Sequence, residues 1–325
     1  MNSAAQKGVT TLFVLALLLV PLASAAQVRV QEYPIPKGLY AHDVWAHPAS
    51  DGPVYFSAQR SGHLGILDPK TGKVETVALG SGSSPHGVIA DAAGDAWLTD
   101  GGQNAIARVD AKTRQVKLWA LPPDSGYTNL NTAIFDGKGV LWFTGQGGIY
   151  GRLDPRSGDM KVFDAPKGRG PYGIHSTPQG VVYFASLAGS YIARIDSGSG
   201  AATVIEPPTR GQGARRVWSD SKGCIWVSEW NSGNLSRYDP ETRKWSTWKA
   251  PGNAPHVYAV YVDETDKVWA SEWTSQVMLR FDPASEKFES FKSSTSVANV
   301  RQIHGRKGEV WTPESAADKI VVYRY

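Results

Sequence analysis

The chain has 325 residues, and its 34 basic and 30 acidic side chains give it a formal net charge of +4. The lysines and arginines are scattered without a run or stripe, which argues against nucleic acid or an anionic membrane as a partner. Cys224 is the only cysteine, so no disulfide can form within the chain, and its position before the apolar run IWVS predicts a small buried side chain.

The first 25 residues have the pattern of an export signal. Lys7 precedes the apolar run TTLFVLALLLVPLASA, which ends on a small-x-small triplet at residues 23–25. We therefore predict cleavage after Ala25 and a mature chain, residues 26–325, that is periplasmic or secreted. A retained anchor is the alternative. No second run of membrane-spanning length follows, so no membrane span is expected in the mature chain.

The mature sequence repeats one unit along its whole length. Phrases such as GILDPKTG, GRLDPRSG and SRYDPETR carry aspartates that are 42, 44, 42, 43 and 43 residues apart. Upstream of each phrase stands an aromatic residue followed by small or β-branched ones, and downstream comes a strand closing on proline, as in KLWALPP and TVIEPP. The aspartates of these phrases are Asp68, Asp110, Asp154, Asp196, Asp239 and Asp282.

Each unit contains about four short strands separated by turn residues, and none shows a helical period. A period in the low forties with four strands is typical of a β-propeller blade. The recurring aromatic residues are expected to pack between blades, because one blade cannot bury both faces of its sheet. They are Tyr55, Trp97, Trp142, Tyr183, Trp226, Trp269 and Trp311.

The seventh unit indicates how the ring closes. It stops at Tyr325 without an outermost strand, whereas the mature N-terminus begins with VRVQEYPIP, which matches the outermost strand of the other units. We therefore predict one all-β domain, a seven-bladed propeller of four-stranded blades, in which residues 28–36 pair beside residues 319–325. No oligomerisation motif is visible, so a monomer is expected.

One position of the innermost strand lies eleven or thirteen residues before the recurring aromatic residue of each unit. It carries a polar or aromatic side chain in six of the seven units. Equivalent positions of all blades converge on the axis, so these residues are expected to line a tunnel mouth that takes a small-molecule ligand. A hydrated channel without a specific ligand is the alternative. The residues are His42, His86, Asn131, Tyr172, Arg215, Tyr258 and Val300.

A second repeat position, three residues after the aromatic, is acidic in several blades. It explains why the phrase Ser-Glu-Trp occurs twice, at Glu229 and Glu272, and the last blade adds Glu314. Neighbouring carboxylates need a counter-charge, which Arg215, Arg301 or an oxygen-preferring cation such as Mg²⁺ or Ca²⁺ would supply. Alternatively, each carboxylate accepts turn hydrogen bonds within its own blade.

The repeat SPHGV followed by AWLTD and I-x-R-x-D resembles that of the virginiamycin B lyase (streptogramin lyase) family, whose members are seven-bladed propellers. The resemblance covers essentially all of the mature chain. It implies a Mg²⁺-assisted elimination that opens a cyclic depsipeptide, with a histidine base that abstracts the proton alpha to the ester carbonyl. NHL-type and gluconolactonase-like propellers share parts of the repeat.

The family's catalytic positions are only partly filled in this chain. Carried over by the motif, they fall on Tyr258, Val300, Ala298 and Glu314, of which only the glutamate keeps its chemistry. Because a valine cannot abstract a proton, streptogramin itself is expected to be a poor substrate.

A similar set recurs in the first two blades, where His42, His86 and Asp100 occupy the equivalent positions. One hypothesis is an exported carbon–oxygen lyase acting on an ester, lactone or uronate-type substrate, with His42 or His86 as base and Glu314 in the catalytic set. The metal would lie at Glu229, Glu272 and Glu314. Substrate contacts are expected from the remaining tunnel-lining residues Asn131, Tyr172, Arg215 and Tyr258, and from Arg301. The alternatives are a non-catalytic binding or sensor propeller and a gluconolactonase-like hydrolase.

Overall fold

Residues 27–325, the part of the chain that the computed structural model describes, form β-strands and the turns between them. The 28 strands in this range make seven sheets of four antiparallel strands, numbered as blades 1 to 7 in chain order. A single turn of 3₁₀-helix, Pro123–Ser125, lies between blades 2 and 3. The prediction of an all-β seven-bladed propeller is confirmed. The predicted export signal, residues 1–25, lies outside the described residues.

The strands follow each other in the sheets in the same order as in the chain, with one exception in blade 7. Blade 1 contains β2 (Ala41–Ala46), β3 (Val54–Ala58), β4 (His63–Leu67) and β5 (Val74–Ala78). Blade 2 contains β6 (Pro85–Ala90), β7 (Ala96–Asp100), β8 (Ala105–Val109) and β9 (Val116–Ala120). Blade 3 contains β10 (Leu130–Phe135), β11 (Leu141–Gly145), β12 (Ile149–Leu153) and β13 (Met160–Asp164). Blade 4 contains β14 (Pro171–Ser176), β15 (Val182–Ser186), β16 (Tyr191–Ile195) and β17 (Ala202–Ile205).

The remaining blades have the same plan. Blade 5 contains β18 (Ala214–Ser219), β19 (Ile225–Glu229), β20 (Asn234–Asp239) and β21 (Lys244–Lys249). Blade 6 contains β22 (Val257–Val262), β23 (Val268–Glu272), β24 (Val277–Asp282) and β25 (Lys287–Lys292). Blade 7 contains β26 (His304–Arg306), β27 (Glu309–Glu314), β28 (Lys319–Arg324) and, as its outermost strand, β1 (Arg29–Pro34).

The N-terminal strand closes the ring as predicted. β1 pairs antiparallel with β28 in unbroken register from Arg29 opposite Arg324 to Pro34 opposite Lys319. Its side chains hold the same junction, because Tyr33 stacks on Trp311 with ring centroids 5.6 Å apart. Closure by the chain's own first strand leaves no open junction between the last blade and the first, which is what a ring needs to resist opening.

The recurring tryptophans are buried between blades, and an acid upstream of each holds the indole in place. Trp142 is fully buried, and its indole N–H donates to the Asp136 carboxylate at 3.0 Å. The other oxygen of Asp136 accepts backbone N–H groups from Lys138 and Val140, which fixes the hairpin that leads into the second strand. One carboxylate therefore shapes a turn and satisfies a buried donor that would otherwise cost free energy. Trp97, Trp226 and Trp269 repeat the arrangement with Asp91, Asp220 and Asp263.

Candidate functional site

A β-bulge in the innermost strand of each of the first six blades brings one side chain to the axis. In blade 2, Pro85 pairs with Asp100 and Val88 pairs with Leu98, so one extra residue lies between the two pairs. Bulges re-aim a side chain out of the regular alternation of a strand. The predicted tunnel-lining residues of blades 1 to 6 all lie in these bulges.

Hydroxyl groups of the second strands lock the bulges in position. The Ser228 hydroxyl accepts the N–H of Arg216 at 3.0 Å in its own blade and donates to the carbonyl of Tyr258 in the next blade at 2.7 Å. Thr99 makes the same two contacts, with the N–H of Gly87 and the carbonyl of Asn131. The serine of Ser-Glu-Trp therefore ties neighbouring blades together at the level of the site.

In blade 7 the structure corrects the predicted tunnel-lining residue. Val300 forms an isolated bridge with Glu314, and His304 pairs with Trp311, so the residue at the axial position is Arg301. The prediction of Val300 was wrong because the hairpin that precedes this tryptophan is one residue shorter than in blades 2 to 6. We call the seven residues at this level the axial ring: His42, His86, Asn131, Tyr172, Arg215, Tyr258 and Arg301.

Two buried histidines lie against each other on one side of the axial ring. The ring centroids of His42 and His86 are 3.9 Å apart. His42 Nδ1 lies 2.9 Å from the Asp43 carboxylate. Because that carboxylate can only accept, Nδ1 carries the proton and Nε2 keeps its lone pair. Burial, and then the charges of Arg301, Arg216 and Arg215, lower the pKa of His42 well below its usual value, so the imidazole is neutral at pH 7.

His86 is neutral for similar reasons. Its Nε2 lies 3.1 Å from the amide nitrogen of Asn131, whose oxygen accepts from the Thr132 hydroxyl. The asparagine therefore donates to His86, whose Nδ1 has no partner among the described residues. Burial, followed by the neighbouring His42, lowers the pKa of His86 well below its usual value.

An ion pair crosses the axis directly below the axial ring. Arg216 of blade 5 donates from both terminal nitrogens to Asp43 of blade 1, at 2.8 and 3.1 Å. Arg216 is 4% exposed and Asp43 is 1% exposed. Gly173 provides the room, because a Cβ there would lie 2.6 Å from the Arg216 Cα. The pair fills the axis and orients His42 through the shared carboxylate.

Two tyrosines of the axial ring are hydrogen-bonded to each other and both contact Arg215. The hydroxyls of Tyr172 and Tyr258 lie 2.6 Å apart, and Arg215 donates to Tyr172 at 3.0 Å while lying 3.4 Å over the Tyr258 ring. Burial, and then Tyr258, raise the pKa of Tyr172 to about 12. Burial acts in the same direction on Tyr258, but Arg215, Arg216 and Arg301 outweigh it and lower its pKa. Tyr258 is therefore the more acidic hydroxyl of the pair.

Half-buried tryptophans surround the upper face, which is the side of the axial ring where the inner strands begin. Trp230 and Trp273 are the tryptophans of the two Ser-Glu-Trp phrases, and they lie under the Arg215 and Arg301 guanidinium groups at 4.5 and 4.9 Å. Arg301 also donates to the Tyr40 hydroxyl at 2.8 Å. Such stacking holds each guanidinium in one orientation and does not occupy the N–H groups that are not already bonded to tyrosine hydroxyls.

The charges around the axis favour an anion. The axial ring and the residues that directly follow it contain three arginines (Arg215, Arg216 and Arg301) but only one carboxylate, Asp43. With both histidines neutral, the local charge is 3 − 1 = +2. Net positive charge at this level attracts anionic ligands and repels a divalent cation.

The structure places the three glutamates one strand further from the axis, where each accepts hydrogen bonds from nearby loop or strand residues. Glu272, for example, accepts the backbone N–H groups of His256, Thr274 and Ser275 at 3.0, 2.7 and 2.7 Å. The Ser275 hydroxyl also donates to it. Burial raises the pKa of Glu272, but these hydrogen bonds outweigh burial and lower it.

The carboxylates of Glu229 and Glu314, like that of Glu272, accept hydrogen bonds from nearby residues. Glu229 accepts from serine and asparagine side chains of its own blade, and Glu314 accepts from the Ser293 and Thr295 hydroxyls at 2.7 and 2.8 Å. Asp100 binds the backbone N–H groups of Ser84, Gly102 and Gln103. The alternative prediction, turn hydrogen bonds within each blade, describes Glu229, Glu272 and Asp100, whereas the partners of Glu314 lie in the segment between blades 6 and 7.

The described residues do not fit a resident Mg²⁺ ion. Among residues 27–325, one group of three potential ligands lies within 4.8 Å, namely His42, Asp43 and His86. Both Asp43 oxygens are taken by Arg216, and imidazole nitrogens are poor ligands for a cation that prefers oxygen. The predicted metal at Glu229, Glu272 and Glu314 stays a prediction, and no step below passes through a metal.

Sequence reasoning missed Asp43 and Arg216, which the structure places at the centre of the site. The signal was present, because each directly follows an axial residue, as His42-Asp43 and Arg215-Arg216. Polar residues at two successive positions of a buried strand indicate a bulge, since in a regular strand they would point to opposite faces.

Comparisons with known proteins agree on fold and family. The sequence model described as the virginiamycin B lyase family matches residues 23–279. A structure titled streptogramin B lyase is 21% identical with a TM-score of 0.82, and the match covers 91% of this chain and 97% of that one. None of the curated proteins matched the sequence.

Two further structures are similar. A catalytically inactive variant of virginiamycin B lyase from Staphylococcus aureus, solved with quinupristin, is 19% identical with a TM-score of 0.83, and the match covers 92% of this chain and all of that one. The extracellular domain of a putative hybrid two-component system from B. thetaiotaomicron is 15% identical with a TM-score of 0.69, covering 91% of this chain and 40% of that one. Such low identities establish the fold alone. Within the described residues, no helix has the length and apolar character needed to cross a membrane.

Proposed function

Because the chain belongs to the virginiamycin B lyase family, we propose that it is an exported lyase-like enzyme that acts on a carboxylate-bearing substrate, of the uronate or acidic ester type, at the upper face. One observation carries the proposal. The axial ring contains a neutral histidine oriented by a buried carboxylate, and on the same ring are the cationic side chains Arg215 and Arg301.

His42 is the residue best arranged to act as the base. Its Nδ1–H bond to Asp43 fixes the tautomer and leaves the Nε2 lone pair available, the arrangement that general bases in hydrolytic triads also use. Asp43 in turn is held by Arg216, so the imidazole orientation depends on a residue from the far side of the ring. His86 packs on His42 and restricts its ring plane.

The arginines supply the charge stabilisation. In the proposed step, the proton alpha to the substrate carbonyl moves to His42 Nε2, and its electron pair forms a carbon–carbon double bond. The beta carbon–oxygen bond breaks, and the leaving oxygen takes a proton from solvent. Negative charge that develops on the carbonyl oxygen is stabilised by Arg215 and Arg301, whose orientation the stacked aromatic rings fix in advance.

The proposal differs from the reaction that the family resemblance implies in two respects. The proposed step uses no metal, because the guanidinium groups of Arg215 and Arg301 supply the positive charge that stabilises an enolate. Streptogramin is still expected to be a poor substrate, since the two positions corresponding to the family's histidines are Tyr258 and, by the corrected register, Arg301.

The test is an elimination assay on the purified mature protein. Oligouronates, aldono-lactones and a type B streptogramin are incubated with it in the presence of EDTA, and unsaturated product is detected by ultraviolet absorbance and mass. We expect an unsaturated uronate product, and His42→Ala should lower kcat/KM by at least about a hundredfold. His63→Ala, an imidazole removed from an outer strand of the same blade, is the matched control.

Other outcomes distinguish the alternative functions. Saturable uronate binding without turnover would contradict the lyase proposal and support a binding or sensor propeller. Turnover that yields a saturated, hydrolysed product from a lactone would support the gluconolactonase-like hypothesis. Turnover only after EDTA is replaced by Mg²⁺ would restore the metal-assisted mechanism.

A further inference from the structure

A second cavity lies on the axis below the Asp43–Arg216 ion pair, on the side opposite the proposed catalytic site. It has a volume of about 140 Å³ and is lined by the continuation of the inner strands beyond the axial ring. None of the seven axial residues reaches it. We call it the lower cavity. The ion pair, whose two residues line the cavity, separates it from the upper face.

One wall of the lower cavity is a continuous aromatic arc. Trp45 and Trp218 lie on either side of His304, with ring centroids 5.8 Å from it in both cases. Behind Trp218, His175 stacks at 4.0 Å. Burial lowers the pKa of His304 to about 4 and, followed by the charge of His304, that of His175 to about 3, so both imidazoles are neutral at pH 7. The arc is therefore an uncharged aromatic surface.

The opposite wall is aliphatic. Ile89 and Ala90 of blade 2 and Ile134 of blade 3 form its outer part and are only partly buried, whereas Val88 and Ala133 lie deeper. An aliphatic wall facing an aromatic wall matches the two faces of a single flat ring. The partly buried outer residues indicate the side from which a ligand enters.

The end wall of the lower cavity carries an unused hydrogen-bond donor. Arg216 lines the cavity and is 4% exposed, yet its Nε–H has no partner among the described residues. Buried donors without partners are uncommon and costly. Both oxygens of the neighbouring Asp43 accept from Arg216, and one of them also accepts from His42, so the carboxylate charge is already compensated.

We propose that the lower cavity binds a monocyclic aromatic carboxylate of the benzoate class, with its ring between the two walls and its carboxylate toward Arg216. The volume fits one ring, since an apolar cavity of about 150 Å³ in another protein binds benzene. The charges of Arg216 and Asp43 in the lining cancel, so the preference for an anionic head group comes from the unpartnered Nε–H of Arg216, which a carboxylate oxygen can accept and an ammonium group cannot. The inference does not depend on the proposed reaction.

The experiment is a fluorine NMR titration of the mature protein with 4-fluorobenzoate. We expect saturable binding of one equivalent with a Kd on the order of 0.1 to 1 mM, the range for a ligand of about ten heavy atoms at ordinary efficiency. The cation 4-fluorobenzylamine, which has the same ring, should bind at least about tenfold more weakly because its head group meets Arg216. Equal affinities, or no saturation with either probe, would overturn the proposal.

Two variants separate this cavity from the cationic upper face. Ala90→Trp fills the lower cavity from its rim and should abolish binding, whereas Arg215→Ala removes a charge from the upper face and should leave the Kd within about twofold. Ile134→Trp fills the same space from the neighbouring blade and replaces Ala90→Trp if that variant is not folded by circular dichroism. Binding that survives both fillings, or that is lost only with Arg215→Ala, would place the benzoate at the upper face and refute the assignment.

Discussion

The upper and lower halves of the axis are formed by the same inner strands, three residues apart, but they collect different side chains. The axial ring lies in the bulges and contains histidines, tyrosines and arginines. The lower cavity begins where regular pairing resumes, as at Ile89 opposite Trp97, and is aromatic and aliphatic. In regular pairing the packing of the blades selects apolar residues, whereas a bulge frees a side chain from that packing. Local strand geometry, and not the fold, therefore sets the chemistry at each end of the axis.

The Asp43–Arg216 ion pair separates the two halves, and its removal should have the largest effect on stability. Arg216→Ala leaves Asp43 buried without its partner, and we expect it to lower the free energy of unfolding by about 3–5 kcal/mol. Denaturant unfolding followed by tryptophan fluorescence measures this change. The double variant Asp43→Leu with Arg216→Leu should be less destabilised than Arg216→Ala alone. Additive losses would show that the two charges do not stabilise each other.

Acid should destabilise both halves through their buried histidines. A histidine whose folded pKa is depressed binds its proton only on unfolding, so its stabilising contribution is complete above a pH of about 6.5 and falls as the pH drops toward the folded pKa. Each such group contributes up to about 1.4 kcal/mol per pH unit in that window.

Substitution of a histidine in the lower cavity isolates the contribution of the lower half to the pH dependence of stability. His304→Phe keeps an aromatic ring in the lower cavity, and the slope of unfolding free energy against pH between about 4 and 6 should decrease by up to about 1.4 kcal/mol per unit. Equilibrium denaturation at several pH values measures the slope. His63→Phe, in an outer strand, is the control, and an unchanged slope for His304→Phe would contradict the assignment.

The glutamates beside the upper face should behave as turn acceptors. Glu272→Gln replaces one acceptor oxygen with a donor that faces backbone N–H groups, and we expect a loss of about 1–3 kcal/mol in unfolding free energy. Glu286→Gln, an exposed site in the same blade, should change stability by less than about 0.5 kcal/mol. Comparable unfolding curves for the two variants would indicate that Glu272 has another role.

The smallest expected effect is that of added Mg²⁺. Because the acidic side chains near the axis are already bonded to N–H, hydroxyl or guanidinium groups, calorimetry with up to about 10 mM Mg²⁺ or Ca²⁺ should give no saturable heat. Binding that is lost in Glu272→Gln or Glu314→Gln would instead establish the metal site predicted from the sequence.

The sequence by itself determined the blade number, the closure of the ring and six of the seven axial residues. These follow from a repeat, because a period near 43 residues places equivalent positions at equivalent points of the ring, whatever their long-range contacts. The seventh axial residue did not follow, since a hairpin shorter by one residue moved Arg301 into the position assigned to Val300. Residue spacing cannot reveal where along a strand such a deletion is absorbed.

Tertiary structure alone decided which residues meet across the axis. Asp43 and Arg216 are 173 positions apart and belong to different blades, so no local pattern couples them. Glu272 accepts from a turn and Glu314 from the segment between blades 6 and 7, and the same carboxylates could equally have faced a cation in a ring with different loops. The lower cavity appears only when all seven inner strands are in place. Local periodicity specifies the blades, but the chemistry at the axis depends on contacts that exist only after the ring has closed.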